Sequence, residues 1–168
     1  MSSPTQLILA AFPKLTNGTF TVTSPPTTQY NCIAWAAGDD TSWWWPAPFA
    51  GPPLGGYYWP AGLPLTVTLD NFVQAFRRQG YRECEDGSLE EGYEKIALYV
   101  DADGVPTHAA RQLADGQWTS KLGESHDISH AEADGIECPT YGMVGQFMRR
   151  PIREDRPGPG ATDIAFLS

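Results

Sequence analysis

The chain has 168 residues, a formal net charge of −9 and an isoelectric point near 4.6. Hydrophobic residues make up 41% of it and charged residues 18%, so it can bury a core and is not expected to be disordered. So acidic a chain repels phosphate backbones, which argues against nucleic acid as a partner. The length predicts a single domain over 1–168.

The three cysteines, Cys32, Cys84 and Cys138, are too few, and odd in number, for a disulfide framework, which indicates a reducing compartment. The N-terminus lacks the basic region and the long apolar run of a signal peptide. No stretch approaches the roughly 18 apolar residues of a membrane span. We therefore expect a cytoplasmic protein that does not associate with a membrane.

The first half of the chain predicts one short strand, one short helix and one long loop. Residues 1–26 are predicted as an N-terminal extension that includes a strand, because TFTVTSP alternates. NCIAWAAG predicts a helix that Asn31 caps, Cys32 opens and Gly38 ends. Residues 39–64 carry Pro, Gly and aromatic side chains without periodicity, and a loop of that length is typically functional.

The second half predicts a helix followed by strands. TLDNFVQAFRRQGY has an apolar stripe, a threonine cap at Thr68 and a glycine stop at Gly80. Strands are predicted in EKIALYVD, PTHAARQL, QWTSKLG and YGMVGQFMRR, with Asp-Gly turns between the first three. Residues 151–168 form a Pro/Gly-rich tail. Helices first and strands later predict an α+β fold.

Cys32 is the candidate nucleophile and His108 its candidate base. A thiol in the first turn of a helix meets the positive end of the helix dipole and unpaired backbone N–H groups, which favour the thiolate. His108 opens a predicted strand, which holds a side chain more rigidly than a loop does, whereas His126 and His130 follow Gly123 in a polar segment.

The spacing of His126 and His130 is also that of metal ligands on a helix. No Cys-x-x-Cys pair accompanies them, and the segment around them does not predict a helix. The sequence therefore predicts neither a metal site nor a cofactor.

A cysteine that opens a helix, followed by a sheet with an early strand that begins with His, resembles the papain-like cysteine peptidase superfamily. The pattern looks most like its compact cell-wall amidase branch, which includes CHAP-type domains. The resemblance implies a papain-like fold in which the Cys32 helix and a second helix pack on an antiparallel meander. It also implies a third catalytic polar residue about one hairpin after His108. HAARQLADGQWTS places Ser120 there, where the family usually carries His, Asn, Gln or Glu.

A second resemblance is to a family of small uncharacterised bacterial proteins. It is carried by YNCIAWA…WWWP…EKIALY…THAARQL…W-SKLG…DI-H…YG, over about residues 30–150. The phrase THAARQLADGQWTSKLG is the specific part of this match. This resemblance implies no mechanism.

Ser120 and Asp127 are alternatives for the third catalytic role. If Asp115-Gly116 alone is the hairpin loop, Ser120 lies on the face opposite His108. If the loop is Ala114-Asp115-Gly116, the two share a face. Asp127, in HDISH, has the charge that holds an imidazolium in place.

An oxyanion hole requires hydrogen-bond donors beside the nucleophile. The backbone N–H of Cys32 is one, and the resemblance implies Gln29, upstream of the cysteine, as a side-chain donor. Tyr30 is a competing donor. Lys121, in SKLG, is either a surface residue or a substrate contact.

The aromatic loop has two interpretations. Its rings either roof the core or line a substrate groove beside Cys32, and exposed aromatic rings commonly mark recognition surfaces. The candidate substrate-binding tryptophans are Trp43, Trp44, Trp45 and Trp59, and Phe49 belongs to the same loop.

Two functions follow from these patterns. The first is a cysteine-dependent hydrolase of amide, peptide or isopeptide bonds, or a related deamidase or acyl transferase, with Cys32 and His108 acting on a peptide or protein substrate. The alternative is a non-catalytic binding or immunity-type module on the same scaffold, with the aromatic loop as the surface that contacts a protein partner.

Overall fold

The structure is a computed structural model that describes residues 3–46, 57–123 and 125–152. Its helices are α1 (Pro4–Ala11), α2 (Cys32–Ala36) and α3 (Leu69–Arg77), with a short 3-10 helix at Ala133–Ile136. Its strands are β1 (Phe20–Ser24), β2 (Trp43–Trp44), β3 (Tyr57–Tyr58), β4 (Arg82–Cys84), β5 (Tyr93–Val100), β6 (Pro106–Gln112), β7 (Trp118–Lys121), β8 (Asp127–His130) and β9 (Met143–Pro151).

Seven of these strands form one antiparallel sheet in the order β1-β8-β7-β6-β5-β9-β4. Strands β5 to β8 are neighbours in chain order and form a meander, of which β5, β6 and β7 were predicted and β8 was not. β9 then returns to the other side of β5, and β4 pairs with it at the edge. The predicted α+β class is confirmed by this arrangement.

The N-terminal extension contains a helix that the sequence interpretation missed. Ser3 Oγ accepts the N–H of Gln6, the Gln6 side chain accepts the N–H of Ser3, and Pro4 opens the first turn. These interactions begin α1. β1 follows it, as predicted.

The structure also differs from the sequence-based expectation in the segment after Gly123. The sequence shows a polar segment there for which no strand was predicted, whereas Asp127–His130 form β8, which pairs with both β7 and β1. Three of its four residues are buried, including an aspartate and a histidine. Buried polar side chains break the apolar alternation by which a strand is recognised.

The predicted loop at 39–64 is described only at its two ends. Those ends meet as the short parallel pair β2 and β3. Phe49 and residues 153–168 of the predicted tail lie outside the described residues. Within the described part of the chain, no helix is long and apolar enough to cross a membrane.

The sheet buries apolar side chains on both faces. Helices α2 and α3 cover one face, here called the α2 face, whose core includes Ile33, Phe72 and Ala109. Helix α1 and the 3-10 helix cover the other, the α1 face, whose core includes Ile8, Tyr99 and Ala110. Because side chains alternate along a strand, neighbours on β6 point to different cores.

The turn between β6 and β7 decides which polar groups share a face. Arg111 pairs with Thr119, and the loop is Ala114-Asp115-Gly116, whose glycine has a φ of +90°. Ser120 therefore lies on the same face as His108. This is the second of the two registers that the sequence left open.

Candidate functional site

Asn31 fixes the start of α2 and therefore the position of Cys32. Its Oδ1 accepts the N–H of Ala34 at 3.1 Å, as a helix cap, and the N–H of Trp44 at 3.1 Å. Its Nδ2 donates to the carbonyl oxygen of Trp44 at 2.8 Å. One buried side chain thus ties the first turn of α2 to β2, the described start of the aromatic loop.

The Cys32 thiol is buried and protonated at neutral pH. The residue is 7% exposed, and burial raises the pKa of its thiol to about 11. Backbone hydrogen bonds from Ala109, Ile33 and Cys32 itself, and the charge of Lys121, act in the opposite direction. The prediction that Cys32 is a thiolate is therefore wrong for this structure. Desolvation of the charged form raises the pKa more than the N-terminus of α2, a helix of only five residues, lowers it.

Cys32 meets the sheet where two strands separate. Among the described residues, β6 and β7 are paired at Arg111 with Thr119 and at Gln112 with Trp118. Ala109 precedes this short ladder. Its backbone N–H donates a hydrogen bond to the Cys32 sulfur. The thiol thus approaches the backbone of β6 from the α2 face.

His108 is fully buried beside that same backbone, on the α1 face. Its imidazole stacks on the ring of Tyr141, with centroids 4.1 Å apart, and meets the edge of Tyr99 at 5.2 Å. Neither ring nitrogen has a hydrogen-bond partner. Burial, with a smaller contribution from the charge of His130, holds the pKa of His108 well below its usual value.

The structure brings Cys32 and His108 to the same part of β6 but does not join them by a hydrogen bond. Cys32 approaches the backbone of Ala109, whereas the His108 side chain projects to the opposite face. The pKa of Tyr141, whose ring stacks on His108, is raised mainly by burial. A negative charge on Cys32 raises it further. The thiol and the imidazole therefore both lie close to Tyr141.

Neither candidate for the third role hydrogen bonds to His108. Ser120 Oγ hydrogen bonds with His130 Nε2 at 2.8 Å, and His130 Nδ1 donates to the carbonyl oxygen of Glu132 at 2.8 Å. Because that carbonyl can only accept, Nε2 is left to accept the hydroxyl proton of Ser120. The sequence interpretation is corrected here, since Ser120 orients His130 instead of His108.

Asp127 lies on the α2 face and bonds to Tyr30. The Tyr30 hydroxyl donates to Asp127 Oδ2 at 2.6 Å, while Asp127 Oδ1 is buried without a partner. This bond also removes Tyr30 from the candidate oxyanion donors. Gln29 is exposed, and its backbone N–H donates to Thr27 Oγ1 at 3.1 Å.

Lys121 is neither a surface residue nor an open substrate contact. Its side chain is fully buried, and Nζ donates to the carbonyl oxygens of Gly123 and Ser125 at 2.7 and 2.6 Å. The ammonium also lies 5.5 Å from the centre of the Tyr30 ring. Lys121 thus holds the β7–β8 turn while placing a positive charge near Cys32.

The tryptophans of the aromatic loop mainly roof the α2-face core. Trp45 and Trp59 pack against Phe72 at 5.4 and 5.1 Å between ring centroids. Trp44 is buried, and its Nε1 donates to Asp39 Oδ2 at 2.8 Å. Trp43 is half-buried. None of the four candidate tryptophans is fully exposed.

The histidines with metal-ligand spacing do not converge. His130 is engaged by Ser120 and Glu132 inside the sheet, and His126 Nδ1 hydrogen bonds with Ser125 at 3.0 Å. Within the described residues, no group of three or more His, Cys, Asp or Glu side chains could hold a metal ion.

Sequence reasoning missed Tyr141, which fixes the His108 ring. Tyr141 is far from His108 in the chain and comes close because the turn between Cys138 and Gly142 folds back onto the start of β6. The Thr107 hydroxyl donates to the Tyr141 carbonyl oxygen and anchors the turn. The only sequence signal is the Tyr-Gly pair itself, since Gly142 adopts a φ of +73°.

Comparison with known proteins identifies a family but no activity. Residues 21–149 match the family described as a domain of unknown function, DUF7689, and the chain belongs to it. No curated protein and no solved structure matched the chain significantly. Helix α1 lies outside the matched range.

Proposed function

We propose that this chain is a cysteine-dependent hydrolase of amide, peptide or isopeptide bonds with a papain-like arrangement, in which Cys32 is the nucleophile and His108 the base. The observation that carries the proposal is the buried imidazole of His108. Both of its nitrogens lack a partner, and it is next in sequence to the residue whose backbone hydrogen bonds the Cys32 sulfur.

An unpartnered buried imidazole is costly. Leaving a buried polar group without a hydrogen bond costs about 1–3 kcal/mol, so such groups are rare and need an explanation, of which a catalytic role is one. An apolar ring would fill the space between Tyr141 and Tyr99 without that cost. A base that must be free to accept a proton explains why a histidine stands there.

The resting pair is neutral, because the pKa of the thiol lies above that of the imidazole. Cys32 Sγ therefore loses its proton to His108 as it attacks the carbonyl carbon of the substrate. The tetrahedral adduct collapses when His108 gives this proton to the leaving amine, which leaves a thioester on Cys32. Water, deprotonated by His108, then hydrolyses the thioester and regenerates the thiol.

Catalysis also requires the thiol and the imidazole to come within hydrogen-bonding reach. Catalytic hydrogen bonds are often long without substrate and tighten in the substrate complex. β6 is paired with β5 at His108 and Ala109, but its β7 side is open there because the ladder with β7 begins only at Arg111, and the thiol and the imidazole would meet through that opening. Lys121 supplies a nearby positive charge that favours the developing thiolate.

The proposed function is tested by measuring how the rate of Cys32 alkylation by iodoacetamide depends on pH. Peptide mapping separates the alkylation of Cys32 from that of Cys84 and Cys138. If His108 assists the thiol, the wild type reacts at pH 7 at least tenfold faster than His108→Phe, while the other two thiols react equally in both proteins. Equal Cys32 rates in both proteins, rising only near pH 11, would overturn the proposed hydrolase.

That negative result would favour the second candidate, a non-catalytic module that binds a protein partner. The burial and raised pKa of Cys32 are the observations in its favour. Its contact surface would include the half-buried Trp43 and the exposed Tyr58 of the loop ends.

A further inference from the structure

A cavity of about 280 Å³ lies between α1 and the turn that carries Tyr141. Its walls are mainly apolar, and none of the described residues that line it is Asp, Glu, Lys or Arg. The residues that define its apolar part are Leu7, Ile8, Ala11, Phe12, Leu122 and Tyr141. An apolar cavity of about 150 Å³ can hold benzene, so this one has room for a large side chain.

Tyr141 is a wall shared by the cavity and the candidate catalytic site. One face of its ring stacks on the His108 imidazole at 4.1 Å. Phe12, which follows α1, meets the Tyr141 ring at 5.5 Å and also lines the cavity. A group bound in the cavity would therefore be separated from the candidate base by a single aromatic ring.

We propose that this cavity binds an uncharged apolar side chain of the amide substrate, next to the bond that is cleaved. The inference rests on the proposed function and adds a substrate class to it. A charged side chain is disfavoured, because it would lose its hydration against Leu7, Ile8 and Leu122 without gaining an opposite charge from the described lining. Ser125, His126 and Thr140 supply polar groups at the cavity for the backbone of the bound peptide.

Helix α1 supplies one wall of this specificity pocket from outside the range that matches the family. Leu7 is 60% exposed, although it lines the cavity beside the buried Ile8. A bound apolar side chain would cover that exposed surface.

The binding test uses N-phenyl-1-naphthylamine, a neutral fluorophore, with N-acetyl-leucinamide and N-acetyl-asparaginamide as competitors. We expect the fluorophore to bind and the leucine amide to displace it at concentrations at least tenfold lower than the asparagine amide. Ala11→Trp, which fills the cavity, should weaken binding at least tenfold. Ala10→Trp is the matched control, because Ala10 is exposed on the same helix and does not line the cavity.

Absence of fluorophore binding, or equal binding by Ala11→Trp and wild type, would overturn the cavity inference. If Ala11→Trp fails to fold, Leu7→Asp replaces it, since an exposed position tolerates a charge. The cavity and the hydrolase are tested separately, because Cys32→Ser should bind the fluorophore like wild type. A failed alkylation test with intact binding would reject the hydrolase, and with it the substrate role of the cavity, but not its binding of an apolar group. Failed binding with His108-dependent alkylation would reject only the pocket.

Discussion

His108 stacks face to face on Tyr141, with ring centroids 4.1 Å apart and ring planes 13° from parallel. The contact fixes the imidazole by packing alone, since neither nitrogen is hydrogen bonded. In the familiar Cys-His sites a polar third residue orients the base. Here the group that orients His108 is aromatic, and both nitrogens are left without hydrogen-bond partners.

Replacing His108 by phenylalanine should separate stability from reactivity. Phe keeps the packing with Tyr141 and Tyr99 and removes an unpartnered polar group, so we expect the free energy of unfolding to stay within about 1 kcal/mol or to rise. Denaturant unfolding measures this. A loss above 2 kcal/mol would mean that the imidazole has a structural partner. His126→Ala is the control for the alkylation rate, which it should leave unchanged.

Cys32 should make the folded state less stable at alkaline pH. Its pKa is raised from 9.0 to about 11 in the folded state, so its contribution is complete below pH 9 and is lost as pH rises toward 11. The expected loss is about 1 kcal/mol between pH 8 and 10. Cys32→Ser should lose less stability than wild type over this range. Parallel curves for the two proteins would show that the thiol is not buried as described.

His130 should make the folded state less stable in acid. Burial lowers its pKa from 6.5 to about 4, so the stability it contributes is present above pH 6.5 and lost as pH falls toward 4. Between pH 7 and 5 the expected loss is about 2 kcal/mol. His130→Gln, which keeps hydrogen-bonding capacity but cannot titrate, should reduce the slope over this range, and the remaining slope comes from His108, whose pKa burial also lowers. An unchanged slope would contradict the assignment.

The turn that carries Tyr141 should depend on a glycine. A Cβ at Gly142 would lie 1.8 Å from the carbonyl oxygen of Val100, at a φ of +73°. We expect Gly142→Ala to cost more than 3 kcal/mol of unfolding free energy, or to displace the turn. Gly104→Ala is the matched control, since its φ is +79° with open space around the Cβ, and should cost about 1 kcal/mol. Similar losses of stability in Gly142→Ala and Gly104→Ala would refute the close approach of Gly142 to Val100.

The Tyr30 hydroxyl should be important for stability because it pairs with a buried carboxylate. Tyr30→Phe leaves Asp127 fully buried with neither oxygen hydrogen bonded. We expect a loss of about 3 kcal/mol, measured by denaturant unfolding. Tyr30→Phe in an Asp127→Leu background should cost much less, and an equal loss in both backgrounds would exclude this bond as the cause.

Helix caps and strand periodicity were readable from the sequence because they are local. Asn31 and Thr68 cap α2 and α3 as predicted, and both helices are followed by a glycine at positive φ. β8 was not readable, since Asp127 and His130 make it look polar although both are buried. Their partners, Tyr30 and Ser120, come from other strands or loops and are invisible to any local pattern.

The sequence by itself determined that a cysteine opens a short helix and that a histidine lies on a strand of an antiparallel sheet. Only the tertiary structure decided what surrounds each of them. It put Cys32 on the α2 face, where burial keeps the thiol protonated, and stacked His108 on Tyr141 on the other face. Desolvation and the side of a sheet depend on which distant segments pack together, and local sequence carries no record of that packing.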